Sequence, residues 1–86
     1  MNKKPHPLIQ LCELITVGNI KGVVSKIYPN NSEVGVCEIT YIHIDNKPTR
    51  NDVDWSGEFW FFPERRDFGG YVQESDPYLQ IFKQKR

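Results

Sequence analysis

Five carboxylates, Asp52, Asp54, Glu58, Glu64 and Asp67, crowd around an aromatic run in this 86-residue chain. Paired carboxylates can do general acid and base work or hold a metal ion, but this spacing matches no calcium loop and no hydrolase motif. They read as groups that solvate a loop and the ends of strands. His6, His43, Cys12 and Cys37 are the other metal-ligand types, and a zinc site would have to gather all four from distant positions. Ser25, Ser32, Ser56 and Ser75 lack any motif that pairs a hydroxyl with a histidine, and the six glycines are too scattered for a phosphate-binding loop. The sequence therefore predicts no catalysis, no metal and no cofactor. Without a secretory context, Cys12 and Cys37 are expected to be free, buried thiols.

The stronger signal is aromatic. Residues Val53 to Pro63 hold five of the chain's eleven aromatic side chains. Such residues fit a pleated, half-buried surface and each buries a large area, so the run from about Gly57 to Phe62 is expected as a strand near the middle of the core. Alternation places Phe59 and Phe61 on one face and Trp60 and Phe62 on the other. Both faces are apolar, so the strand is either sandwiched between layers or shows one aromatic face to a partner. Phe59 and Phe61 are assigned to the core. Trp55 and Phe68, flanked by polar residues and glycine, fall at loop edges and join Trp60 and Tyr71 in a candidate binding patch. Exposed aromatics rimmed by charge anchor protein interfaces, and they also stack bases in single-strand binders. Arg65 and Arg66 lie beside this patch, suited to a partner's carboxylate or to phosphate.

Formal net charge is zero, yet the acids concentrate in the middle of the chain while Lys3, Lys4, Lys83, Lys85 and Arg86 make the ends basic. That balance excludes the general positive field of a duplex DNA binder and leaves a local basic patch as the route to nucleic acid. No apolar run approaches the ~20 residues of a bilayer span, and the proline-broken start is not expected to be a secretory signal. A cytoplasmic chain with no membrane partner is the expectation. A single domain over residues 1–86 fits the length; a chain of this size buries only about 60 to 65% of its unfolded surface, so the core is thin.

Positioning these residues requires the following elements. Residues 1–7 read as a loose arm. Leu8, Leu11, Cys12 and Ile15 recur at helical spacing behind Pro7, which predicts a short helix giving way to extended chain before the Gly18-Asn19 turn. Strands follow at Ile20 to Tyr28 and Val34 to Ile44. The second shifts its apolar phase after Tyr41, the mark of a bulge or sharp bend. Asp45 to Asp54 reads as a polar loop, and Tyr71 to Glu74 as a short strand. Ser75, Asp76 and Pro77 supply the start of a C-terminal helix whose buried stripe is Tyr78, Leu79, Ile81 and Phe82.

The run Ile15-Thr-Val-Gly-Asn-Ile-Lys-Gly-Val-Val-Ser-Lys-Ile-Tyr28 resembles the opening hairpin of two small barrel classes, the OB folds of ribosomal-protein type and the SH3-like barrels with a KOW-type motif. The resemblance covers 14 residues and implies a curved meander of about five short strands, with RNA or DNA binding in many members. The fold expected is mainly β, a small antiparallel barrel or strongly bent sheet of four to five strands with a C-terminal helix and an optional short N-terminal one. The function expected is a non-catalytic module that binds a protein partner through an aromatic and acidic surface. The alternative is a single-stranded nucleic-acid binder acting through Lys21, Lys26, Arg65 and Arg66.

Overall fold

The structure, a computed structural model, describes residues 5–29, 35–63 and 70–85. Within them five strands, β1 (Leu14–Val17), β2 (Ile20–Ile27), β3 (Cys37–Ile42), β4 (Pro48–Trp55) and β5 (Trp60–Phe61), form an antiparallel meander in sequence order. The sheet curls until β1 approaches β5, giving a nearly closed barrel with one C-terminal helix, α1 (Pro77–Lys85). No described helix is long and apolar enough to cross a membrane.

Local chemistry sets each turn. Val17 pairs with Ile20 across Gly18-Asn19, and Gly18 alone of the two has positive φ, the pattern of a two-residue hairpin with glycine first. His43 to Lys47 closes the β3–β4 hairpin, with Asn46 in the left-handed region and the Lys47 N–H donating to Asp45 Oδ1 at 3.0 Å. In the β4–β5 hairpin the Ser56 N–H donates to the Phe59 carbonyl, and Ser56 Oγ accepts from the N–H groups of Glu58 and Phe59.

The core explains two departures from the sequence reading. Val24, Ile39, Tyr41, Cys37 and Val53 line the barrel interior, while Val23 and its cross-strand partner Thr40 occupy the other face, over which α1 packs. Strands β2 and β3 are thus buried on both sides, and this, not a bulge in β3, produces the phase shift near Tyr41. The β3–β4 register runs unbroken; the irregularity sits in β2, at Ser25. The buried Ser25 hydroxyl donates to the Glu38 carbonyl and lies 3.3 Å from Glu38 Oε1, which satisfies the extra residue.

Other expectations are corrected outright. Residues 5–13 contain no helix: a turn places Cys12 at φ 72°, the Cys12 N–H bonds Val24, and residues 14–17 are strand. Helical spacing at Leu8 and Leu11 misled because both are exposed. Asp45 to Asp54 is mostly strand β4, not loop. Of the strand expected over Val34 to Ile44, Val34 lies outside the described residues and the observed strand is Cys37–Ile42, with Ile44 95% exposed at the turn tip. The strand expected at Tyr71 to Glu74 is one bridge, Thr49 to Tyr71. Helix α1 keeps its stripe, with Leu79 and Phe82 buried, but its cap is Asp76, whose Oδ1 accepts from the N–H groups of Tyr78 and Leu79.

Candidate binding seam

The β4–β5 hairpin swings the aromatic run across the mouth of the barrel. Only Trp60 and Phe61 pair with β4, because the four-residue turn at 56–59 consumes the rest and Pro63 stops the strand. Alternation between Phe59/Phe61 and Trp60/Phe62 holds, but the inward face is the opposite of the one assigned from sequence. Trp60 is 9% exposed and meets Trp55 edge-on, with ring centroids 4.9 Å apart. Phe62 packs on Tyr41 at 5.6 Å. Phe59 is instead 60% exposed and Phe61 partly so. Phe59 is the functional candidate that sequence reasoning missed. Two apolar faces carry no phase, and the one that turns in is the one that sets Trp60 opposite Trp55.

Between β5 and β1 lies an open groove of about 560 Å³, lined by Thr16, Val17, Gly18 and Phe59 through Phe62. No strand pairing or hydrogen bond joins β1 to β5 among the described residues. Val17 and Ile20 close a two-residue turn as a hydrogen-bonded pair, so alternation turns the main-chain groups of Thr16 toward the groove. The Ser56–Phe59 bond sets the same alternation on the other side and points the main chain of Trp60 there. The groove thus presents unpaired main-chain groups of Thr16 and Trp60 beside an aromatic floor. Some Cα atoms of β1 and β5 lie within 8 Å of each other, so a segment docked there adds to one edge rather than inserting between both. The His6 ring of the N-terminal arm lies 5.9 Å from Trp60.

Of the residues singled out from sequence, Trp60 lines the seam and Trp55 supports it from behind. Tyr71 is 56% exposed and belongs to a different hollow. Phe68, Arg65 and Arg66 lie outside the described residues. Lys21 and Lys26 are exposed but stand five positions apart on β2, roughly 16 Å at strand rise, and Lys26 rests over the Tyr28 ring. They form no joint patch. Among the carboxylates, Asp52 accepts a hydrogen bond from Tyr28 and Asp54 from the Trp55 N–H, while exposed Glu58 rims the hairpin turn beside Phe59. No cluster of metal-ligating side chains occurs among the described residues.

The second hollow, about 390 Å³, is lined by Ile20, Tyr41, His43, Asp45, Asn51, Phe62 and Tyr71. It shares Phe62 with the seam. Burial pushes the Tyr41 hydroxyl above its usual pKa, a hydrogen bond from Asn51 opposing, and the nearby Asp45 charge adds to the rise. No protein-family model matches this chain, and no curated protein or solved structure is significantly similar to it.

Proposed function

We propose that this protein is a non-catalytic binding module that takes up an extended segment of a protein partner in the seam between β1 and β5. The observation that carries the reading is the combination of unpaired main-chain groups at the strand edges with an exposed aromatic side chain, Phe59. Main-chain groups at such edges supply affinity for an added strand, and side-chain pockets at alternate positions supply selectivity. Phe59 and Phe61 are large apolar groups at the rim, the class of residue that carries most of the energy of an interface. Glu58 and Asp54 give the rim an acidic character, which favours a partner segment without acidic residues of its own.

A displayed library of random peptides, selected on the protein and then remade synthetically, tests this. Selected peptides should bind Phe59→Ser at least tenfold more weakly with the fold intact, and lose binding when alternate backbone nitrogens that face a strand edge are methylated. Peptides indifferent to both changes would overturn the reading.

A further inference from the structure

We propose that the hollow under Tyr71 is a recognition pocket for a guanidinium group, the side chain of an arginine in the docked segment. Three aromatic rings, Tyr41, Phe62 and Tyr71, line it, and among the described residues the Asp45 carboxylate is its only acid. Asp45 is held in place rather than neutralised: its Oδ1 accepts from the Lys47 N–H at 3.0 Å, its Oδ2 from the Tyr71 hydroxyl at 3.2 Å, and it has no salt-bridge partner among the described residues. Each carboxylate oxygen keeps acceptor capacity for a further N–H. An oriented, unpaired negative charge beside ring faces is complementary to a flat cation, which stacks on the rings and donates to the carboxylate at once.

The same corner already attracts a cation. The Lys47 ammonium lies 5.1 Å from the centroid of the Tyr71 ring, so that ring face accepts positive charge in the folded protein. Lys47 is then a competitor at the rim. Guanidinium suits the pocket better than a second ammonium, because its weaker hydration and planar fork match ring and carboxylate together. His43 also lines the pocket, and its Nδ1 is buried without a hydrogen-bond partner. The volume falls in the range of small-ligand sites.

That the guanidinium belongs to a docked partner rests on the seam reading; the pocket's preference does not, and two probes separate them. The first is N-acetyl-arginine methylamide titrated into uniformly labelled protein and followed by amide chemical shifts. Shifts should concentrate at residues 41–45 and 71, while the neutral isostere N-acetyl-citrulline methylamide should bind at least fivefold more weakly. Asp45→Asn, which keeps an acceptor for the Lys47 N–H, should weaken the arginine probe at least fivefold, and Lys47→Gln should tighten it about twofold. Equal binding of arginine and citrulline probes, insensitivity to Asp45→Asn, or no shifts at tens of millimolar would overturn the pocket. The second probe is a seam-binding peptide carrying arginine or norleucine at successive positions. If the free arginine probe binds as expected but no position prefers arginine, the pocket stands and its link to the docked segment fails.

Discussion

Cys12 and Cys37 carry the same group in unlike surroundings. Cys37 is fully buried in the barrel, and that burial, with smaller contributions from the Asp52 and Glu38 charges, pushes its pKa up to about 12. Cys12 sits partly exposed in the N-terminal turn, and neither is in a disulfide. A thiol reagent near pH 8 should therefore add once within minutes, at Cys12, and a second time only in denaturant, as read by intact mass; two adducts at one rate in the native protein would contradict the burial. Linkage gives a second readout. The unfolded Cys37 ionises near 9.0 and the folded one near 12, so its contribution to stability is whole below pH 9 and is lost as pH rises through that window. The urea midpoint should fall over that range, and less so in Cys37→Ala. At this scale the sequence was legible as to residue type but not direction. That both thiols are free was readable, though only Cys37 is buried as expected; that Phe59 faces out and Trp60 in was not, because both faces of β5 are apolar and the sequence carries no phase between them.

Asp76 joins two elements. One carboxylate oxygen caps α1 and the other accepts from Arg50 Nη2 at 2.7 Å, while Arg50 Nε reaches Thr40 Oγ1 at 3.0 Å and Glu38 at 3.4 Å. The helix is thus pinned to β3 and β4 by a half-buried network as well as by Leu79 and Phe82. Asp76→Ala removes the cap and leaves Arg50 short of an acceptor, at a cost of about 2–3 kcal/mol in urea unfolding. Ser75→Ala should change stability by less than about 0.5 kcal/mol. Equal losses would mean that the cap lies one residue earlier. The apolar stripe of α1 and the hairpin at Gly18-Asn19 were legible because periodicity and turn chemistry are local. Strand β4 was not: Pro-Thr-Arg-Asn-Asp-Val-Asp-Trp reads as loop until Tyr28, Tyr41 and Asp76 arrive from elsewhere to pair with its polar groups.

Taken whole, the molecule has no net charge, and Lys21 and Lys26 stand roughly 16 Å apart along β2. A labelled single-stranded oligonucleotide should accordingly fail to bind at low-micromolar strength even in 50 mM salt. Four phosphate contacts through Lys21, Lys26, Arg65 and Arg66 would instead show as a roughly 50-fold loss of affinity between 50 and 200 mM salt. Low-micromolar binding with that salt dependence, weakened by both Trp55→Ala and Arg66→Ala, would make the protein a nucleic-acid binder and displace the peptide-docking reading. The barrel itself was legible at this scale from short strands, turn signals and the hairpin at Ile15 to Tyr28, since closure follows from strand number and twist. The seam was not, because it depends on how far β5 extends, and that is set by a four-residue turn and a proline.

An incompletely closed barrel also carries a hazard in concentrated solution. The two open edges of one molecule are complementary to each other, so the β5 side of one copy can meet the β1 side of the next, and such head-to-tail contacts continue indefinitely rather than closing into a dimer. What limits this is the brevity of β5, two paired residues, which can hold a short segment anchored by side chains but not the long continuous ladder a fibril needs. Lengthening that strand, by trimming the turn at 56–59 or replacing Pro63 with a strand former, would be expected to promote fibril formation.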